Sequence, residues 1–222
     1  MHSRARNPVD ISLYAIADPA RTRGRPLDIL TRDAMAGGAS LIQYRDKAAP
    51  ARTMLEQERA IGEAIEGSGV PLIVNDRVDI AFAAGADGVH LGQDDLPPAD
   101  ARDMLGDRAI IGLSIKTPED ARQAPLEDLD YVFIGGVFQT ASKDNPVAIG
   151  VEGWKALAAI IRQRDPEIPI GAIAGIDESN IAEMIAAGAD GVAVISAIFM
   201  ADDVEDATRV LRQTVEHARR RT

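Results

Sequence analysis

The stretch Ala84-Gly-Ala-Asp-Gly-Val-His-Leu-Gly-Gln-Asp-Asp95 contains, in order, the end of a predicted helix, a short apolar strand and a polar segment. Gly85 allows the left-handed conformation that ends a helix, and the small residues after it allow a tight turn into the strand. Ala187-Gly-Ala-Asp-Gly191 repeats this pattern, and Ala36-Gly-Gly-Ala-Ser40 is similar. The pattern predicts helix-to-strand loops of a βα architecture, and the two Gly-Ala-Asp-Gly-Val segments hint at a half-barrel repeat.

Short runs rich in Ile, Val and Leu alternate with segments of helical period, which is typical of a parallel sheet with crossover helices. The predicted strands are Leu13–Ala17, Leu41–Arg45, Leu72–Asn75, Gly88–Leu91, Ile110–Ser114, Tyr131–Ile134, Ile170–Ala174 and Val192–Ser196. The predicted helices are Leu27–Ala36, Ala51–Glu66, Arg77–Ala84, Pro98–Leu105, Pro118–Gln123, Val151–Arg164, Glu178–Ala187 and a last one from Ala201 to about Arg220.

This alternation favours an α/β fold that consists of a single (β/α)₈ TIM barrel. Roughly eight βα units with short connections are typical of such a barrel. We place it at residues 11–222, after an N-terminal tail at residues 1–10. A doubly wound open sheet is the alternative, although no Gly-x-Gly-x-x-Gly follows the first strand.

The composition narrows the classes of function. A formal net charge of −11 argues against binding to nucleic acid or to anionic membranes, because both require cations that neutralise phosphates. The absence of cysteine excludes disulfides and thiolate chemistry and is typical of a reducing compartment. No apolar run approaches the ~20 residues that a membrane helix requires, and residues 1–10 lack the apolar core of a secretory signal. We therefore expect a cytoplasmic protein.

Polar residues cluster where the predicted strands end, which in a barrel places them at one rim. Gln43, Arg45 and Lys47 alternate along one face of the second strand and suit a diphosphate. Asp76 and Asp95 follow the third and fourth strands, and two carboxylates suit Mg²⁺ when water and phosphate complete its ligands. The structural alternatives are solvent-exposed cations and aspartates that cap the following helices.

The later strands are also followed by polar or flexible residues. The segment Gly135-Gly-Val-Phe-Gln-Thr-Ala-Ser-Lys143 offers backbone amides, hydroxyls and an ammonium to an anion. Gly175 and Ser196 follow the last two strands, where barrels commonly bind phosphate; a plain turn and a helix cap are the alternatives. His90 has no second histidine spaced near it, so we interpret it as a packed or hydrogen-bonding side chain.

Together, these segments resemble the thiamine-phosphate synthase family from about Tyr14 to Ser196. The matching motifs are Gln-x-Arg-x-Lys at 43–47, Val-Asn-Asp-Arg-Val-Asp at 74–79, Gly-Val-His-Leu-Gly-Gln-Asp-Asp at 88–95, Val-Phe-x-Thr-x-Ser-Lys at 137–143 and Val-Ile-Ser at 194–196. The resemblance implies a transferase that joins an aminopyrimidine diphosphate to a thiazole phosphate, or its carboxylated form, and releases pyrophosphate with the help of Mg²⁺. Gly136, Ser142 and Ala174 stand where the family usually has Pro, Thr and Gly.

The resemblance also implies residue roles. The aminopyrimidine diphosphate would be bound by Gln43, Tyr44, Arg45, Asp46, Lys47, Asn75, Ser114 and Lys143. The thiazole phosphate would be bound by Thr140, Ala141, Ser142, Gly175, Ile195 and Ser196, and Mg²⁺ by Asp76 and Asp95. The expected catalytic residues are Arg45, Lys47, Ser114 and Lys143. The expected partners are these small molecules, and association into a homo-oligomer is left open.

Other functions stay open at this point. A thiazole tautomerase resembles the synthase but generally lacks the complete diphosphate and magnesium set, and has a histidine in the region where this chain has Lys116 and Thr117. A non-catalytic binder of thiamine precursors would keep the barrel without turnover. A phosphate-binding isomerase or aldolase would call for a Schiff-base lysine within a strand or a carboxylate base, and the apolar strands offer no such lysine. The intact pair Asp76 and Asp95 favours the synthase.

Overall fold

Eight short parallel strands close into a barrel in the computed structural model, which describes residues 6–139 and 148–221. The strands are β1 (Leu13–Ala17), β2 (Leu41–Tyr44), β3 (Leu72–Asn75), β4 (Gly88–Leu91), β5 (Ile110–Ile115), β6 (Tyr131–Ile134), β7 (Ile170–Ile173) and β8 (Gly191–Val194). Each strand pairs with the next along the chain, and β8 pairs with β1. The predicted single (β/α)₈ TIM barrel is therefore confirmed, and the open sheet is excluded.

Helices follow the strands around the outside of the barrel. They are α1 (Leu27–Ala36), α2 (Ala51–Ala64), α3 (Val78–Ala84), α4 (Pro98–Leu105), α5 (Pro118–Gln123), α6 (Gly150–Arg164), α7 (Ile181–Ala186), α8 (Ser196–Phe199) and α9 (Val204–Arg219). The predicted last helix is present as α9, but it begins at Val204 and not at Ala201, because Asp203 accepts a hydrogen bond from the backbone N–H of Asp206 and caps it. The short helix α8 before it was not predicted. Among the described helices, none has both the length and the apolar character needed to cross a membrane.

The barrel interior is filled by aliphatic side chains, mostly isoleucine, together with three aromatic rings. Tyr14, Tyr131 and Phe133 are almost fully buried there. Two glycines, on the strands at either side of β6, make room for the rings: a Cβ at Gly112 would lie 2.2 Å from the Tyr131 ring, and one at Gly171 would lie 2.2 Å from the Phe133 ring. The outward side chains of the strands pack against the helices in a second, larger core. The interior is therefore a packed core beneath the rim, as is usual for this fold.

The two Gly-Ala-Asp-Gly-Val segments make equivalent contacts half a barrel apart. The Asp87 carboxylate accepts a hydrogen bond of 2.8 Å from the backbone N–H of Leu72, and the Asp190 carboxylate accepts one of 2.8 Å from that of Ile170. Each aspartate also donates its backbone N–H to the carbonyl of the same partner, at 3.0 and 2.9 Å. Each aspartate thus fixes the first residue of the strand before its own.

Residues 6–10 contain no helix or strand and lie across the N-terminal end of the barrel. The backbone N–H of Asn7 donates to Asp130 at 2.8 Å, and Val9 packs against the interior cluster. Asp130 is fully buried and pairs with Arg102 at 2.8 Å. A buried carboxylate requires such partners. This cluster closes the end of the barrel opposite the strand ends that carry the predicted site.

Candidate functional site

The C-terminal ends of β2 to β5 bring most of the predicted residues together. Gln43, Asn75 and Ser114 lie on the inward faces of their strands, where Asn75 is paired with His90 and Ser114 with Phe133. Gln43 and Asn75 are buried, whereas Ser114 is partly exposed. Strand alternation therefore places amide and hydroxyl side chains on the inner side of this rim.

Arg45 is held at the rim by a carboxylate that the sequence analysis missed. Its backbone N–H donates to the carbonyl of Ala17 at 2.9 Å, which extends the β1–β2 ladder by one residue. Its guanidinium pairs with Asp18, and the two side chains are only 15% and 10% exposed. Asp18 also accepts a 3.0 Å hydrogen bond from the backbone of Ala20. Its position directly after β1, at the same rim, was the signal that could have identified it.

Lys47, Asp76 and Asp95 form a charged group beside these residues. The Lys47 ammonium pairs with the Asp76 carboxylate. Asp76 has a left-handed backbone with φ 63°, which is uncommon for a residue with a side chain. The Asp95 carboxylate accepts a 2.7 Å hydrogen bond from the backbone of Gly92. The backbone N–H of Asp76 donates to the carbonyl of His90 at 2.9 Å, which places Asp76 next to β4, the strand that Asp95 follows. Burial, and next the nearby Asp76, raise the pKa of Asp95.

The donor set at this position fits Mg²⁺. Neither aspartate caps a helix, since the N-cap residue of α3 is Arg77 and that of α4 is Pro97. In the part of the chain that the structure describes, no group of three or more His, Asp or Glu side chains could enclose a metal ion. Mg²⁺ commonly binds through one or two carboxylates, with water and substrate phosphate as its other ligands. Asp76 and Asp95 therefore suit Mg²⁺ that arrives with a diphosphate.

Tyr44 and Asp46 have local structural contacts. Tyr44 lies on the opposite face of β2 from Gln43 and packs between the barrel and the helices. Burial, and next the charge of Asp46, raise the pKa of Tyr44. Asp46 accepts hydrogen bonds of 2.8 and 2.9 Å from the backbones of Ala48 and Ala49 and so shapes the loop before α2. Their predicted contribution to substrate binding stays a prediction.

A chain of hydrogen bonds, called here the interior chain, connects five side chains across the barrel: Gln43, Tyr14, Tyr131, His90 and Ser114. Gln43 Nε2 donates to Tyr14 Oη at 2.6 Å, and the two tyrosine hydroxyls are 3.0 Å apart. His90 bonds to Tyr131 Oη through Nδ1 at 3.2 Å and to Ser114 Oγ through Nε2 at 2.9 Å. The His90 ring also stacks on Tyr131, with centroids 5.6 Å apart. The interpretation of His90 as a packed, hydrogen-bonding residue is confirmed.

A second part of the rim is formed by the ends of β6, β7 and β8. Gly175 has φ 68°, and a Cβ there would lie 2.5 Å from the carbonyl oxygen of Gln139 and 2.7 Å from Cβ of Phe138. The backbone N–H of Phe138 donates to the carbonyl of Ala174 at 3.0 Å. The segment after β6 therefore runs directly over the end of β7, and only a glycine fits beneath it.

The structure describes only some of the other residues that are predicted to bind the thiazole phosphate. Ile195 packs in the interior cluster, and Ser196 is the first residue of α8 rather than its cap. Thr140, Ala141, Ser142 and Lys143 lie outside the described residues. On either side of that segment, the backbone N–H of Gly150 donates to the carbonyl of Val137 at 2.9 Å, close to Gly175.

Comparisons with known proteins identify the family of this chain. A family model described as thiamine monophosphate synthase matches residues 13–198. The thiamine-phosphate synthase of Agrobacterium fabrum is 50% identical over 213 residues, which cover 96% of this chain and 97% of the relative. That of Moorella thermoacetica is 48% identical over 208 residues, covering 93% and 97%. The solved thiamine phosphate pyrophosphorylase from Pyrococcus furiosus has a TM-score of 0.82 and 38% identity, covering 94% and 97%. The chain therefore belongs to the thiamine monophosphate synthase family of transferases.

Proposed function

We propose that this protein joins an aminopyrimidine diphosphate to a thiazole phosphate, with release of pyrophosphate, and that Mg²⁺ assists the reaction. The observation that carries the proposal is the convergence at one rim of two cations, Arg45 and Lys47, with two adjacent carboxylates, Asp76 and Asp95. A chain with a net charge of −11 requires such local positive charge to bind an anionic substrate. Membership of the family supports the same reaction.

The rim residues would divide between the two ends of the first substrate. The pyrimidine ring would be bound by Gln43, Asn75 and Ser114, and the diphosphate by Arg45, Lys47 and Lys143. Asp76 and Asp95 would hold Mg²⁺, which supplies positive charge next to the diphosphate oxygens when it is bound. Lys47 lies beside this position, because it pairs with Asp76. The thiazole phosphate would be bound at the β7–β8 part of the rim, by Gly175, Ile195 and Ser196 together with Thr140, Ala141 and Ser142.

The chemistry needs positioning and charge stabilisation rather than a protein nucleophile. The bond between the methylene carbon of the pyrimidine and the diphosphate oxygen breaks, and both electrons leave with pyrophosphate. The lone pair of the thiazole nitrogen then forms the new carbon–nitrogen bond. Arg45 and Lys47 would stabilise the negative charge of the leaving group, and binding of both substrates at one rim would align the reacting atoms.

The setting of the enzyme is also part of the proposal. We propose that it works in the cytoplasm, which the absence of cysteine supports. Residues 1–10 would form a tail in front of the catalytic barrel at 11–222.

The test is product formation by the purified protein with both precursors, in the presence and absence of Mg²⁺, together with Asp76→Asn. Asparagine tolerates the left-handed backbone of Asp76 and removes only the charge. We expect Mg²⁺-dependent thiamine phosphate and pyrophosphate, and a loss of about 100-fold in the variant. Asp79→Asn is the matched control. Asp79 is exposed, and among the described residues its one salt bridge is to Arg77, two positions before it.

The outcomes separate the candidate functions. Binding of the precursors without product would contradict the transferase reaction and favour a tautomerase-like or non-catalytic paralogue. Full activity in the presence of a chelator would contradict the proposed assistance by Mg²⁺. Equal losses in Asp76→Asn and Asp79→Asn would contradict the assigned role of Asp76.

A further inference from the structure

The interior chain reaches the substrate rim at both of its ends. Gln43 lies at the end of β2 and Ser114 near the end of β5, and the three residues between them lie on β1, β6 and β4. Tyr14 and Tyr131 are at most 1% exposed, so water has no access to the middle of the chain. Two polar groups on different sides of the rim are therefore connected through the core.

One direction of hydrogen bonding satisfies every buried group of the interior chain. Burial raises the pKa of Tyr14 and Tyr131, so each phenol keeps its one proton and donates one hydrogen bond. The amide nitrogen of Gln43 donates to Tyr14. A buried hydroxyl that is fully satisfied also donates its own proton, which requires Tyr14 to donate to Tyr131 and Tyr131 to donate to Nδ1 of His90. This direction places a proton on Nε2 of His90, which donates to Ser114.

This direction determines which end of the interior chain offers a ligand a hydrogen-bond acceptor and which end offers a donor. The interior chain uses the Nε2 side of the Gln43 amide, and its carbonyl oxygen remains an acceptor for a ligand. At the other end, the Ser114 oxygen receives the bond from His90, so the hydroxyl proton remains available as a donor. An aminopyrimidine offers the complementary groups, since its exocyclic amino group donates and its ring nitrogens accept. An oxo-pyrimidine has the opposite pattern at the substituted carbon and the adjacent nitrogen.

We propose that Tyr14, Tyr131 and His90 are positioning residues, which hold Gln43 as an acceptor and Ser114 as a donor and thereby select an aminopyrimidine over the corresponding oxo-pyrimidine. The inference rests on the proposed function, since it concerns the pyrimidine substrate of that reaction. A site that hydrogen-bonds a substrate discriminates strongly against an analogue whose donors and acceptors are exchanged, because buried polar groups are then left unpaired.

Tyr131→Phe tests the proposal by removing one hydroxyl while the ring still fills the space beside Gly112. We expect the ratio of kcat/KM values for the amino and oxo diphosphates to fall about tenfold, with the KM of the thiazole phosphate unchanged. Tyr14→Phe breaks the chain one link earlier and should give the same loss. Thr208→Val is the matched control, because it deletes a buried hydroxyl that bonds to the carbonyl of Val204 in α9, away from the site.

The tautomer of His90, read from its ¹⁵N chemical shifts, is a second measurement that needs no turnover. It therefore distinguishes a failure of the positioning role from a failure of the proposed function. A proton on Nε2 in the wild type, and loss of selectivity in both tyrosine variants with cooperative melting retained, would support the proposal. A proton on Nδ1, or unchanged selectivity in a folded Tyr131→Phe protein, would overturn it. So would an equal loss of selectivity in Thr208→Val.

Discussion

Replacing Gly175 by alanine should destabilise the barrel and weaken thiazole phosphate binding at the same time. Gly175 has φ 68°, and the new methyl group would lie 2.5 Å from the carbonyl oxygen of Gln139 and 2.7 Å from Cβ of Phe138. A left-handed residue with a Cβ costs roughly 1 kcal/mol, and overpacking adds roughly 1–3 kcal/mol. The free energy of unfolding should therefore fall by about 2–4 kcal/mol.

Gly85→Ala separates these two costs. Gly85 has a similar backbone, with φ 77°, but no atom lies within 4 Å of the position that an added Cβ would take. This variant therefore carries the backbone cost alone, roughly 1 kcal/mol. Urea unfolding of both variants measures the difference. For a chain of this size, each kcal/mol also lowers Tm by about 2–4 °C.

Steady-state kinetics supplies the functional half of the prediction. The KM of the thiazole phosphate should rise in Gly175→Ala and stay unchanged in Gly85→Ala, because Phe138 and Gln139 lead into the segment that contains Thr140. Equal unfolding free energies for the two variants would refute the close contact at Gly175. A large loss of stability with an unchanged KM would refute its connection to substrate binding.

Three further perturbations follow from single contacts. Ala174 has φ 89°, so Ala174→Gly should raise the free energy of unfolding by roughly 1 kcal/mol in urea, and a decrease would show that this backbone is unstrained. Asp18→Asn removes the negative charge that pairs with Arg45, so kcat/KM for the pyrimidine diphosphate should fall about tenfold while the KM of the thiazole phosphate is unchanged. Equal effects on both substrates would argue that Asp18 does not act through Arg45. Burial, opposed by Arg59, raises the pKa of Glu58 from 4.5 to about 7. The unfolded chain therefore loses this proton first as pH rises from 4.5 to 7, and the wild type should lose stability relative to Glu58→Gln over that range. A parallel pH dependence of the two Tm values would contradict the shift.

The strands could be predicted from local sequence alone. β1, β3 and β6 begin and end at the predicted residues, because each is a continuous apolar run bounded by polar or turn-forming residues. The start of the last helix was predicted less well. The helical period already begins at Ala201, whereas α9 begins at Val204, after the cap that the Asp203 side chain forms with the backbone of Asp206. Periodicity does not show which of several polar residues is the cap.

The site was predicted as a set of positions and not as a set of contacts. Strand ends placed the polar residues at one rim, but Asp18 precedes a proline and looks like a turn residue, while its partner Arg45 directly follows the next strand, β2. Tyr14 and Tyr131 look like core aromatics in the sequence, and only closure of the barrel brings their hydroxyls to 3.0 Å. These pairs depend on tertiary structure, which periodicity does not encode.

The interior chain makes five side chains interdependent. In the proposed arrangement each tyrosine hydroxyl gives one hydrogen bond and receives one, so a single link cannot be reversed unless its neighbours reverse too or a buried group is left unpaired, at a cost of roughly 1–3 kcal/mol. A substitution at Tyr14 should therefore alter the hydrogen bonding of Ser114, on another strand of the barrel. A substrate preference held in this way depends on all five side chains at once, so a substitution at any one of them should alter it as a whole.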